Sequence, residues 1–302
     1  MKSIFKLILR YYLKLITKLV LVIHRPKIIV VAGSVNKAFV RDEIKKVLEK
    51  AGPVKSTGVD HGVNLVKSAT ADHGVNKKVR ANPRNFNTDI GLPLAILNIS
   101  SGYGSYGDWW PVIGKAGRAI FQKNFPEYLV LELGVSQTGD MRYLLSIVAP
   151  EISVVTDITQ RYLESFPCMD DLVAEYIYLA KKTKKTGVVI LNHDNLRARE
   201  LAKKASAPVR YFGETCDEKK DWQIREIKKT ATGQLVEIKH QEKTTEFSIP
   251  RFGRHHAFAL AASLAVEEII KNTEDRVCLV SNLSNNAKCK SHLAYRQAGK
   301  SK

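Results

Sequence analysis

A glycine, a serine and a lysine in the stretch 27–48, KIIVVAGSVNKAFVRDEIKKVL, have the types and spacing to hold a phosphate. Gly33 and Ser34 break an apolar run, and Lys37 opens a helical pattern. Backbone N–H groups in such a turn, the positive end of the helix and a lysine ammonium converge on an anion. The phosphate-loop motif closes with a glycine, a lysine and a Ser or Thr hydroxyl. Asn36 stands where that glycine is expected, and Asn is among the residues that tolerate left-handed backbone angles. Ala38 stands where the hydroxyl would reach Mg²⁺, and a methyl group cannot ligate a metal. The candidate anion loop is therefore Gly33, Ser34, Val35, Asn36, Lys37 and Ala38. The same residues also fit an ordinary strand–turn–helix that leaves Lys37 on the surface.

A second candidate is Glu132, the one charge in the apolar run YLVLEL from Tyr128 to Leu133. A carboxylate at the end of a central strand is costly unless it is paired or binds a metal. In open α/β sheets that edge is where ligands sit.

The elements that must position these groups follow from periodicity. Ile28 to Val31 is a β-branched run that reads as a buried parallel strand. From Lys37 onward, apolar Phe39, Val40, Ile44, Val47 and Leu48 are set against Arg41, Asp42, Lys45 and Lys46. Asp108 is placed to cap a helix running through Phe121. Strands at Ile152 to Thr156, Val188 to Leu191 and Val209 to Phe212 alternate with helices at Asp170 to Lys182 and Leu196 to Lys203. This order predicts a parallel sheet flanked by helices. Trp222 to Ile249 changes to short alternating segments, which predict a small antiparallel meander. Leu94 to Leu97 starts a helix or a short strand, and His255 to Ile270 reads as an Ala- and Leu-rich helix. The expected organisation is an N-terminal helix over 1–26, an α/β domain over 27–271 with a loop insertion near 55–80, and a disordered tail over 272–302. The insertion contains DHGVN twice, at 60–64 and 72–76. That repeat fits a flexible loop, with metal binding by its His and Asp as the other reading.

The net charge of +18 is located at the ends of the chain. Residues 1–27 carry seven Lys or Arg and residues 276–302 carry six, neither with an acid, so the ends supply 13 of the 18 charges. That distribution argues against a nucleic-acid face on the fold. Lys2, Lys6, Arg10, Lys14 and Lys18 recur every four residues among apolar ones. A basic amphipathic helix suits an anionic membrane surface, although it could equally pack on its own domain. No charge-free run reaches the roughly 20 residues that span a bilayer. Cys168, Cys216, Cys278 and Cys289 form neither a zinc pattern nor a disulfide framework, so the cytoplasm is expected, with the membrane's inner face as the place for the basic helix.

Five segments, AGSVNK, NFNTDIGLP, LVLELG, ILNHDN and GRHHAFALAASLAV, in this order resemble the central ATPase domain of Mur ligases. The likeness is greatest to the branch that adds D-alanyl-D-alanine to a UDP-muramoyl-tripeptide. The resemblance implies ATP-dependent joining of a carboxylate to an amine in peptidoglycan precursor synthesis, with Mg²⁺ neutralising phosphate charge. By position it implies that Lys37 and Glu132 are catalytic, with Lys37 on the β/γ-phosphates and Glu132 serving Mg²⁺. Asn87 and Thr88 would lie in the substrate-side loop, and Asn192, Asp194 and His256 would lie near the nucleotide. Tyr162 and Tyr176 stand where the family has a metal-holding His and a bridging Lys. The adenine-side pattern G-x-H-N-x-x-N reads Gly253-Arg254-His255-His256-Ala257-Phe258-Ala259, with both Asn replaced. The family's sugar-nucleotide and amino-acid domains have no visible counterpart. The expectation is a Mur-ligase-like protein impaired or inactive by itself. The alternative is a non-catalytic, membrane-associated binding or scaffold protein on the same fold.

Overall fold

A computed structural model describes residues 2–49, 77–102 and 106–275. Both DHGVN segments and the tail from residue 276 lie outside the described residues. The chain divides into two compact units, 1–265 and 266–302; the second is described through residue 275, and that part is helical.

Among the described residues nine strands form one sheet in the order β2-β3-β1-β4-β5-β6-β7-β8-β9. They are β1 (Lys27–Ala32), β2 (Val79–Ala81), β3 (Tyr128–Glu132), β4 (Ile152–Val155), β5 (Val188–Asn192), β6 (Val209–Gly213), β7 (Trp222–Lys229), β8 (Gln234–His240) and β9 (Lys243–Ile249). Pairing is parallel from β2 through β7 and antiparallel between β7, β8 and β9, as the sequence pattern predicts. The helices are α1 (Lys2–His24), α2 (Lys37–Leu48), α3 (Gly91–Leu97), α4 (Trp109–Ala119), α5 (Asp140–Leu144), α6 (Met169–Lys182), α7 (Leu196–Glu200) and α8 (254–275). Along β1 successive side chains point to opposite faces. Ile28, Val30 and Ala32 join a large core with Leu92, Leu129 and Leu131, while Ile29 and Val31 are buried outside that cluster. β1 lies between β3 and β4, with Val31 opposite Glu132 and Ala32 opposite Val155. The two candidate chemical groups therefore leave adjacent strands at one edge of the sheet.

Some elements differ from the sequence expectation. β2 ends just after the expected loop insertion, and three residues carry no periodicity to find it by. The short apolar segment at Leu94 to Leu97 is helical. Asp108 ends a short 3-10 turn (Tyr106–Asp108), and its side chain makes no capping hydrogen bond to α4. The helix from Leu196 tightens into a 3-10 turn at Leu201–Lys204.

Helix α1 belongs to the same compact unit as the sheet. Leu9, Leu13, Thr17 and Val20 are buried, and α1 packs against α3 and α4. The Tyr12 hydroxyl donates to the Ile113 carbonyl at 2.9 Å, and His24 stacks on Phe125 at 4.5 Å. Arg10 lies over the Tyr143 ring at 3.6 Å and pairs with Asp89 at 3.6 Å. A second apolar stripe, Ile4, Ile8, Tyr11, Leu15 and Val22, is exposed on the other side, with Lys6 and Lys18 also exposed. No described helix is long and apolar enough to cross a membrane.

The two faces of α1 should respond differently to truncation. Leu13→Ala, at a side chain with 0% exposure, is expected to cost about 2–5 kcal/mol in urea denaturation. Leu15→Ala, at 67% exposure, is expected to change stability by no more than about 0.5 kcal/mol. Equal losses at the two positions would contradict this packing.

Candidate functional site

The loop between β1 and α2 is held open by its backbone. Gly33 has φ 140°, and a Cβ there would collide with the Thr156 hydroxyl, so only glycine fits. Asn36 caps α2 with φ 65° and ψ 0°, the left-handed angles that the missing glycine would otherwise supply. The loop is tied to the end of β4. Ser34 N–H donates to the Asp157 carbonyl at 2.6 Å, and the Thr156 hydroxyl donates to the Val35 carbonyl at 2.6 Å. The Ser34 hydroxyl accepts from Thr159 N–H at 3.0 Å.

Lys37 begins α2 and is buried, not surface-borne. Its Nζ donates to the Gly33 carbonyl at 2.7 Å, so the ammonium curls back over the loop. Burial pulls its pKa down, and the negative charge of Glu132 opposes that shift. Lys37, Arg41, Ile44 and Leu48 share the buried face of α2.

Glu132, at the end of β3, is buried and fully engaged. Its Oε2 accepts from Arg41 Nη1 at 3.2 Å, and its Oε1 accepts from Asn87 Nδ2 at 2.9 Å. Asn82 grips the same residue by its backbone: Glu132 N–H donates to Asn82 Oδ1 at 2.7 Å, and Asn82 Nδ2 donates to the Glu132 carbonyl at 3.0 Å. Arg41 is further fixed by Asp42, with Nε and Nη2 at 2.8 and 2.7 Å from Oδ1. Thr88, next to Asn87, is exposed and uses its carbonyl to accept from Leu92 N–H at 2.9 Å.

A second acid sits on the other side of the loop. Asp157 accepts from Asn36 Nδ2 at 3.3 Å and from Asn192 Nδ2 at 2.9 Å. Burial raises its pKa, and those two hydrogen bonds oppose the rise. Asn192, at the end of β5, thus reaches the anion loop indirectly, through Asp157. Asp194 turns elsewhere, accepting from the backbone N–H groups of Glu214 and Thr215 at 2.8 and 2.9 Å. His256 packs edge-on to Phe39 at 5.0 Å and against His255 at 4.3 Å, forming a three-ring group beside α2. Burial is the main cause of its lowered pKa, and His255 adds to it.

Tyr176 is buried in the core on α6. Its neighbour Glu175 accepts from Gly139 and Met141 N–H at 2.8 and 2.7 Å, which fixes the start of α5. Tyr162 lies in the 3-10 segment Gln160–Ser165.

These donors do not fit a divalent ion. Mg²⁺ takes hard oxygen ligands in octahedral geometry. Ala38 offers a methyl, Glu132 is bound to a guanidinium and an amide, and Asp157 is bound to two amides. Among the described residues no group of three or more His, Cys, Asp or Glu could hold a metal. Sequence reasoning missed Arg41, Asn82 and Asp157. Asp157 follows strand β4 as Glu132 ends β3, so the same test of an acid at a strand end would have found it.

Comparison with known proteins identifies the family and the fold. A family profile described as the Mur ligase middle domain matches residues 115–267. The anion loop and Asn87 precede that match. UDP-N-acetylmuramoyl-tripeptide–D-alanyl-D-alanine ligase of Haemophilus influenzae is 24% identical over 184 residues, 59% of this chain and 34% of the relative. UDP-N-acetylmuramate–L-alanine ligase of Streptococcus thermophilus is 29% identical over 140 residues, 46% of this chain and 29% of the relative. The chain spans about a third of the length of these curated relatives. The MurF ligase of Thermotoga maritima in complex with ADP superposes with a TM-score of 0.65 at 16% identity, over 87% of this chain and 49% of that one. MurF of Acinetobacter baumannii gives 0.64 at 17% identity, over 87% and 47%. These two likenesses are of fold. The family match covers half of the 302 residues, and the chain belongs to the Mur ligase middle-domain family.

Proposed function

We propose that this chain is a nucleotide-binding Mur-ligase-type protein of peptidoglycan precursor synthesis that by itself does not complete the ligation. The reading rests on one observation above others: a buried lysine at the start of α2 curls over a left-handed loop at the carboxyl edge of a parallel sheet. Such an edge receives anionic ligands in open α/β folds, and an amide-rich helix start favours phosphate. The ligand is ATP or ADP, since a fold relative holds ADP. The loop Gly33 to Ala38 takes the phosphates, with Lys37 as the cation. Asn192 and His256 lie toward the nucleoside, and Asp194 supports them by ordering the turn after β6. Asn87 and Thr88 face a UDP-muramoyl-peptide.

Ligation through an acyl phosphate needs charge stabilisation at the transferring phosphoryl group. Here Ala38 supplies no metal ligand, and Glu132 is occupied by Arg41 and Asn87. Losing one such stabilising contact commonly costs about 100-fold or more in rate. Glu132 remains the residue nearest to a metal-ligand role, and Lys37 the one to contact the transferring phosphate.

The second reading, a membrane-associated binding protein, rests on the exposed stripe of α1. A helix that buries one apolar face in its own domain and exposes another, beside Lys6 and Lys18, suits an anionic lipid surface. The place would be the cytoplasmic face of the membrane. Both readings hold together if the domain rides on that surface through α1.

Titration calorimetry with ADP should show binding that Lys37→Ala weakens at least about tenfold, a loss of about 1.4 kcal/mol or more. Undiminished binding in that variant would remove Lys37 from the site. Phosphate release from ATP in the presence of UDP-muramoyl-tripeptide and D-alanyl-D-alanine should stay at background. Release that requires both would overturn the inactive reading. For the membrane, Ile8→Glu with Leu15→Glu should abolish sedimentation with phosphatidylglycerol vesicles while leaving the circular dichroism spectrum intact. Sedimentation equal to that of the parent chain would exclude the stripe.

A further inference from the structure

We propose that the anion site of this chain works without a divalent ion, because Arg41 stands as a built-in cation at the carboxylate where a metal would otherwise be held. The inference rests on the nucleotide reading above. Arg41 is buried on α2, one turn after Lys37, and donates from Nη1 to Glu132 Oε2 at 3.2 Å. Its Nε and Nη2 donate to Asp42 at 2.8 and 2.7 Å, so the guanidinium cannot swing away without breaking three hydrogen bonds. Asn87 takes the second carboxylate oxygen at 2.9 Å. Together these partners occupy both oxygens of Glu132.

A divalent ion approaching Glu132 would meet a guanidinium on the same carboxylate and the Lys37 ammonium nearby. To reach the carboxylate the ion would have to displace that guanidinium and leave a buried charge uncompensated. The ion would also find no hydroxyl at Ala38 to complete its shell. The acid across the loop offers no substitute, since Asn36 and Asn192 hold both oxygens of Asp157. Lys37 and the N-terminus of α2 supply the positive charge that phosphate needs. Guanidinium is well suited to this task, since it stays charged when buried and pairs with carboxylate in a fixed fork.

The test is ADP affinity measured by titration calorimetry on the full chain, in excess Mg²⁺ and again in EDTA. The expected affinities agree within about threefold. Binding at least about tenfold tighter with Mg²⁺ would overturn the inference while leaving the nucleotide reading intact. Binding in neither condition would overturn both. A second measurement reads the ion directly. Arg41→Met keeps an apolar stem but leaves Glu132 without its cation. Mn²⁺ alone should then raise the melting temperature of this variant and leave that of the parent chain unchanged. A parent chain stabilised by Mn²⁺ as much as the variant would contradict the assignment. If Arg41→Met does not fold, the calorimetry on the parent chain still decides.

Discussion

A carboxylate buried at the end of a central strand must be paired, and the pairing of Glu132 fixes much of what surrounds it. Removing one partner of a buried ion pair typically costs about 3–5 kcal/mol, because the other charge is left uncompensated. Arg41 therefore sets the rotation of α2 about its axis, and the same rotation brings Lys37 over the anion loop. Asn87 and Asn82 hold the segment before α3 against the same strand end. The anion loop, the substrate-side segment and helix α2 thus meet on one side chain.

The other half of the loop is held by Asp157 through neutral donors. Asn36 serves two purposes there. Its backbone adopts the left-handed turn, and its side chain reaches the acid. A glycine could do only the first. The replacement that weakens the match to a phosphate-loop motif consequently ties the loop to β4. The two acids flanking the loop are both satisfied within the protein, one by a cation and one by amides. That arrangement favours holding an anion over assembling a metal cluster.

The sheet was legible because β-branched runs alternated with helical periodicity, and Glu132 was legible as the one charge in an apolar strand. Arg41 was not, because a charged residue in an amphipathic helix reads as solvent-facing. Its partner lies 91 positions away, so no local spacing reveals the burial. Phe39 erred the other way. It reads as core, yet it is exposed at the edge of a ring group with His255 and His256. Of the two readings of α1, packing on its own domain is what the structure shows, and an apolar stripe also faces outward. Periodicity could not separate them, because apolar residues occupy both sides. β2 was too short to show a period, and the pairing of β6 with β7 depends on chain geometry beyond local pattern.

The loop Gly33 to Ala38, with Lys37 above it, is proposed to receive the phosphates of a nucleotide. Amide chemical shifts of the ¹⁵N-labelled chain during titration with ADP test it most directly. The largest shifts should fall on Val35 to Phe39 and on Glu132 and Asn87, which are joined by a side-chain hydrogen bond. Saturating shifts confined to residues away from the carboxyl edge of β1, or no shifts at all, would contradict it.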